Sequence, residues 1–156
     1  MRTGRRFVIG ILGLIAVAAL GGVIAWVWVQ RAIPPIDPDN ADQVARGSVL
    51  YAAQCARCHG ANLEGQPNWR ERLANGRLPA PPHDATGHSW HHSDSVLFGI
   101  TKNGIAGYAP PDYESDMPVF GGLLTDEDIA AVLAYIKSRW PPEVRAKQES
   151  INRQAE

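Results

Sequence analysis

A long, uncharged apolar segment precedes a mixed apolar and polar pattern in this chain. Residues Phe7 to Val29 contain no charged side chain. As a helix they would span about 34 Å, which is enough to cross a bilayer. Arg2, Arg5 and Arg6 come before this segment, which places residues 1–6 in the cytoplasm and the remainder of the chain outside. Because the run is longer than the core of a usual signal peptide, we predict an uncleaved signal-anchor helix.

Three later segments have the apolar spacing and end signals of helices. The first runs from about Ala41 to Gln54, and the second follows Ser93 and closes at Gly104. The third follows Thr125, a good N-cap, and ends at Trp140 before two prolines. We therefore predict an all-α domain over residues 41–140. It would follow a proline-rich linker at 30–40 and precede a polar tail at 141–156, which we expect to be a frayed helix or a disordered tail.

The chemistry of the chain is indicated by the segment from Cys55 to His59, which reads Cys-Ala-Arg-Cys-His. This spacing is the attachment sequence of a c-type haem. Each thiol can form a thioether with a porphyrin vinyl group, and the imidazole of His59 can reach the iron. These are the two cysteines of the chain, so a zinc site built from four thiolates is impossible within it. A disulfide between Cys55 and Cys58 would leave His59 unexplained. We predict one covalent haem c.

The second axial ligand of that iron is predicted to be Met117. The chain has two methionines, and the other is the initiator. Met117 is followed by a proline in a polar loop just before a helix start, a setting unlike that of a core residue. A neutral thioether favours ferrous iron, so a ligand pair of His59 and Met117 would raise the reduction potential.

With these residues the segment from 41 to 140 resembles the class I cytochrome c family. Gly47 and Tyr51 match the positions where the family's terminal helices cross, and Val132 and Tyr135 match their partners. The resemblance implies a class I cytochrome c fold around the haem. It also implies that a backbone carbonyl in the proline loop, Pro79 to Pro82, accepts the Nδ1 proton of the haem histidine. Since c-type haem is attached after export, the resemblance further implies that the domain lies outside the cytoplasm.

Four of the five histidines fall within ten residues, between the proline loop and the second predicted helix: His83, His88, His91 and His92. Three interpretations stay open. The segment could bind copper or another divalent ion, or one histidine could replace Met117 on the iron. It could also be a surface loop whose histidines bond haem propionates or backbone. Several residues just before the proline loop are further candidates for the propionates: Trp69, Arg70, Arg72, Asn75 and Arg77.

Charge and composition narrow the function. The domain is mildly acidic and has no basic patch of the kind that binds nucleic acid. It lacks the ring of lysines that the mitochondrial members of the family use for docking. We predict an electron carrier tethered to the bacterial inner membrane with its haem domain on the periplasmic side. It would link a quinol-oxidising complex or dehydrogenase to a terminal oxidase or other acceptor, as a shuttle or a bound subunit. The alternative is an enzyme or ligand sensor with a displaceable Met117 or a copper site in the histidine-rich loop.

Overall fold

The fold is built from helices. The computed structural model describes residues 33–155, and within that range there is no strand. The described residues form five α-helices: α1 (Ala41–Gln54), α2 (Ala56–His59), α3 (Asp94–Asn103), α4 (Asp126–Ser138) and α5 (Pro142–Ala155). Two 3-10 turns, Ser89–His91 and Ile105–Gly107, flank α3. The all-α domain predicted from the sequence is confirmed.

The three helices α1, α3 and α4 begin where the sequence provides capping side chains. Asn40 accepts a hydrogen bond from the backbone N–H of Gln43 and starts α1. Ser93 starts α3 in the same way. Thr125 and Asp128 form the predicted reciprocal cap at the start of α4, where each side chain accepts a bond from the other residue's backbone N–H. Because these caps satisfy the first N–H groups of each helix, the helix starts match the prediction closely.

The crossing of α1 and α4 forms the main packing contact of the domain. A Cβ atom at Gly47 would overlap the backbone carbonyl of Ala131, so the close approach of the two helices requires glycine there. Tyr51 is buried, and its ring lies 5.3 Å from that of Tyr135 between centroids. The resemblance-based assignment of Gly47, Tyr51 and Tyr135 to this crossing is confirmed. Ala131, which the sequence analysis did not single out, contributes the contacting backbone.

A long loop between α2 and α3 folds back towards α2. Leu63 is buried and adopts a left-handed backbone conformation with φ of 72°, which is uncommon for a residue with a side chain. In this conformation its carbonyl accepts hydrogen bonds from the N–H groups of His83 and Asp84. Gly65 also has positive φ, and a side chain there would overlap Pro82. The loop thus holds the proline segment beside α2.

The C-terminal residues differ from the prediction. They form the helix α5 (Pro142–Ala155), so the helical alternative is confirmed, but this helix packs on the domain and is not frayed. Proline is compatible with the first turn of a helix, so Pro142 starts a new helix while α4 has already ended at Ser138. Val144 and Gln148 on α5 are buried. The packing was not predicted because the helix has few apolar residues: Val144 joins the hydrophobic core, and polar residues make the remaining attachment.

The attachment of α5 is a buried polar network centred on Asp94. Its carboxylate forms a 2.6 Å ion pair with Lys137 of α4. It also accepts hydrogen bonds from the side-chain amides of Gln148 and Asn152 on α5. The network therefore links α3, α4 and α5, and each of its polar groups has a partner.

Part of the predicted linker is packed rather than extended. Ile33 and Ile36 lie against the core, and Gln43 donates a hydrogen bond to the carbonyl of Pro35. Within residues 33–155, no helix is long and apolar enough to cross a bilayer. The predicted anchor at Phe7 to Val29 lies outside the described residues.

Candidate functional site

Cys55 and Cys58 stand at the junction of α1 and α2. The carbonyl of Cys55 accepts hydrogen bonds from the N–H groups of Cys58 and His59, which fixes the turn between the two thiols. Both are partly buried free thiols. Burial raises the pKa of the Cys55 thiol to about 11, and the neighbouring Cys58 acts in the same direction. The Cys55 thiol is therefore protonated at neutral pH before a haem is attached, and the two sulfur atoms are held one helical turn apart.

His59 is buried at the end of α2 and faces the proline loop. Its Nδ1 lies 2.8 Å from the backbone carbonyl of Pro81, so the predicted contact with this loop is confirmed. Burial lowers the pKa of His59, although the bond to Pro81 acts in the opposite direction. The ring is therefore neutral at pH 7 and donates its Nδ1 proton to Pro81. This tautomer leaves the Nε2 lone pair to bind a metal ion.

His83, two residues after Pro81, stacks on His59. The ring centroids are 4.0 Å apart and the planes differ by 22°. The Nδ1 atom of His83 lies 2.6 Å from the hydroxyl of Ser89, and its backbone carbonyl accepts a bond from the indole N–H of Trp140. Burial lowers the pKa of His83 well below its usual value, and charge on His59 acts in the same direction. His83 is thus a neutral ring that limits the movement of His59.

Met117 is partly buried against the hydrophobic core. Its N–H donates to the hydroxyl of Ser115. Just beyond it, the N–H of Phe120 donates to the carbonyl of Thr101, and that of Gly121 donates to the carbonyl of Lys102. The C-terminal side of the Met117 loop is therefore fixed to the last turn of α3.

Arg77 fixes the other side of the Met117 loop. Its guanidinium forms ion pairs with Asp116, the residue before Met117, and with Glu114. From the sequence, Arg77 was named only among the candidates for the propionates. The signal that could have suggested this pair is the positive charge of Arg77 and the two acidic residues just before Met117.

The remaining histidines are held in two different arrangements. The Nε2 atoms of His88 and His92 are 3.1 Å apart, whereas His91 stacks on Trp90 with ring centroids 3.7 Å apart. Among the residues that the structure describes, no group of three or more His, Cys, Asp or Glu side chains is arranged to hold a metal ion. A site formed jointly by His88, His91 and His92 is therefore not present.

The donor set fits a covalent haem. The two thiols flank the turn that leads to His59, and the hydrogen bond to Pro81 leaves the other nitrogen of that imidazole available to bind the haem iron. Residues 44–140 match the family described as Cytochrome c. The chain belongs to the cytochrome c family. Its cofactor is a covalent haem c, with which the positions of Cys55 and Cys58 in the attachment sequence are consistent.

Curated relatives carry several names. A thiosulfate dehydrogenase of Stutzerimonas stutzeri is 35% identical over 115 residues, which cover 72% of this chain and 33% of that protein. The cytochrome bc1 complex cytochrome c subunit of Mycobacterium tuberculosis (strain ATCC 25618 / H37Rv) is 34% identical over 91 residues, 51% of this chain and 32% of that protein. Cytochrome c6 of Picosynechococcus sp. is 32% identical over 100 residues, covering 64% of this chain and 75% of that protein.

The chain spans about a third of the length of the first two of these relatives. No solved structure matches it significantly. The family and the named cytochromes indicate a function in electron transfer.

Proposed function

We propose that the chain is a membrane-tethered monohaem cytochrome c that carries single electrons, with His59 and Met117 as the axial ligands of its iron. The observation that carries this proposal is the hydrogen bond between His59 and Pro81 within a domain of the cytochrome c family. This hydrogen bond uses Nδ1 of His59 and leaves its Nε2 to bind the iron. When bound, the haem supplies a one-electron couple.

The protein side chains would tune and shield that couple. The carbonyl of Pro81 makes His59 a stronger donor by accepting its Nδ1 proton. The loop that carries Met117 is fixed on one side by Arg77 and on the other by the backbone bonds from Phe120 and Gly121. Met117 is supported as the sixth ligand because the other methionine of the chain is the initiator. A rigid loop keeps its sulfur in place through oxidation and reduction, which lowers the reorganisation that electron transfer requires.

The proposed donor is a quinol-oxidising complex or a dehydrogenase, and the proposed acceptor is a terminal oxidase or another redox protein. The relative named as a subunit of a cytochrome bc1 complex supports this placement. The chain would be a bound subunit or a shuttle held near such complexes by residues 7–29. The proposed location is the inner membrane of a bacterium, with the haem domain on the periplasmic side, as the arginines before the apolar segment favour.

A second candidate is a role in an oxidoreductase that acts on a small molecule. The relative named as a thiosulfate dehydrogenase favours it, since the similarity covers 72% of this chain. That protein is about three times as long as the matched segment, so residues outside the similarity could supply its activity. On this alternative, a substrate or ligand would displace Met117 from the iron.

The two candidates differ in how the full-length protein, purified in mild detergent, responds to small molecules. An electron carrier with a saturated iron should change its reduced spectrum little under carbon monoxide at neutral pH. It should be reduced by a quinol only when a quinol-oxidising complex is added. Rapid stoichiometric binding of carbon monoxide, or reduction of the haem by thiosulfate alone, would favour the second candidate.

Membrane tethering is tested separately by fractionation and N-terminal sequencing. The protein should remain with the membrane fraction and retain residues 7–29. A mature N-terminus after Ala18 would mean that the segment is cleaved and that the tether is absent.

A further inference from the structure

His88 and His92 are four residues apart on either side of the 3-10 turn Ser89–His91. The N–H of His91 donates to the carbonyl of His88, and the N–H of His92 donates to the carbonyl of Ser89. This turn brings the two imidazoles to the same side, where their ring centroids are 4.7 Å apart. Their Nε2 nitrogens are 3.1 Å apart.

We propose that His88 and His92 form a two-histidine chelate for a divalent metal ion that prefers imidazole, such as zinc or copper(II), separate from the haem. If a metal lies about 2.0–2.1 Å from each nitrogen, the observed N···N separation gives a nitrogen–metal–nitrogen angle of about 100°. This angle lies between the values for square-planar and tetrahedral coordination. One ion can therefore bridge the two nitrogens without movement of the backbone, and water would complete its coordination.

The backbone of this pair is already fixed. The carbonyl of His92 accepts a hydrogen bond from the buried side chain of Gln148 on α5. Within the turn, the indole N–H of Trp90 donates to the carbonyl of Ala85. Because these contacts hold the turn between the two rings, little conformational entropy remains to be lost when a metal binds.

Both rings are available as neutral ligands. Burial lowers the pKa of His88 and that of His92, and the neighbouring histidines act in the same direction, as does Arg70 on His88. Few protons therefore need to be displaced at neutral pH. Arg70, whose guanidinium lies 4.1 Å from the ring centroid of Trp69, also repels a cation at His88. The result is an exchangeable surface site rather than a permanent structural one.

His91 serves as the matched control. It is exposed and lies between the two proposed ligands in sequence, but its ring stacks on Trp90. A variant at this position changes the histidine content of the turn by the same amount and leaves the chelate intact.

The test uses the full-length, haem-loaded protein purified without a histidine tag. Zinc is the probe because it has no redox chemistry and leaves the haem oxidation state unchanged. Equilibrium dialysis against zinc chloride, followed by elemental analysis of zinc and iron, should give one zinc per iron. His88→Gln and His92→Gln should each bind zinc at least about tenfold more weakly, since even loss of a ligand's hydrogen-bond partner typically costs that much. His91→Gln should bind like the parent.

An unchanged haem spectrum would show that each variant folds and retains its cofactor. The proposal is overturned if the parent binds no stoichiometric zinc, which would leave the 3.1 Å contact as a hydrogen bond between two imidazoles. It is also overturned if only one of the two glutamine variants loses affinity, or if His91→Gln loses as much as they do.

Discussion

The imidazole of His83 lies face to face with that of His59, with ring centroids 4.0 Å apart. His83 is itself held by the hydroxyl of Ser89 and by the indole of Trp140. The proposed iron ligand is thus fixed at its Nδ1 edge by Pro81 and over one face by a second neutral ring. Of these two contacts, only the bond to the proline loop was predicted from the sequence.

Replacing His83 by leucine should change the haem without removing it. The apolar side chain disfavours the additional charge of ferric iron more than a polar imidazole does, so the reduction potential should rise. The orientation of His59 should also become less uniform, which would broaden the low-spin signal of the ferric protein in electron paramagnetic resonance. The control is His91→Leu, because the ring of His91 stacks on Trp90 and not on His59. Equal potentials in the two variants would show that the stack has no influence on the iron.

Arg77 should control how easily Met117 is displaced. Arg77→Gln removes the ion pairs to Glu114 and Asp116 and frees the loop beside Met117. We expect faster binding of imidazole to the ferric protein, measured by stopped-flow absorbance, with an unchanged spectrum before mixing. Arg70→Gln, which loses a contact with the ring of Trp69 in its own loop, should bind imidazole at the parent rate. A parent-like rate in Arg77→Gln would mean that the loop is fixed by its other contacts.

The buried ion pair of Lys137 and Asp94 should be important for stability. The Lys137 side chain is 5% exposed, so Lys137→Met leaves a carboxylate without its cation and should cost about 3 kcal/mol in the free energy of unfolding. Lys102→Met removes a half-exposed pair with Asp126 and should cost less than about 1 kcal/mol. Denaturant titrations of the haem-loaded proteins measure both. Equal losses would indicate that the α5 network does not depend on this charge.

Asp128 should make part of the stability dependent on pH. Burial acts to raise the pKa of this carboxyl, but hydrogen bonds from Arg46 and Thr125 outweigh it and lower the pKa below 3.8. A group whose pKa is lower in the folded state stabilises the fold above its unfolded pKa, and this stabilisation is lost as the pH falls through the folded value. Asp128→Asn should therefore be less stable than the parent at pH 7, by about 1 kcal/mol for a weakened cap.

The difference between Asp128→Asn and the parent should shrink below pH 3.8. Glu127→Gln, an exposed change in the same helical turn, is the control and should leave the stability at pH 7 close to that of the parent. A constant difference between Asp128→Asn and the parent across the acid range would assign the effect to packing.

The sequence predicted the helix starts well because capping is local. Asn40, Ser93 and Thr125 each bond an N–H group within three residues, so short segments contain the necessary information. The bond from His59 to Pro81 crosses 22 residues, and it was predicted through the family resemblance rather than from local pattern.

The features that were missed depend on contacts distant in sequence. Gln148 and Asn152 appeared to belong to a polar tail, because their partner Asp94 is more than fifty residues away. Arg77 likewise pairs with acids 37 and 39 residues further along the chain. Apolar spacing and helix-capping residues do not indicate which distant charged residue a side chain will contact. The stacking of His83 on His59 was missed for the same reason, although its place beside the proline loop was a clue.

The central claim, a haem ligated by His59 and Met117, is tested most directly by redox titration of Met117 variants. Met117→His should remain six-coordinate and low-spin, while its potential falls by on the order of a hundred millivolts, within the span available to axial ligands. Met117→Ala should open a position that binds carbon monoxide. The opposite result would be a parent-like spectrum and potential in Met117→Ala, together with altered values after substitution of His83, His88, His91 or His92. That result would assign the sixth position to a histidine and contradict the account.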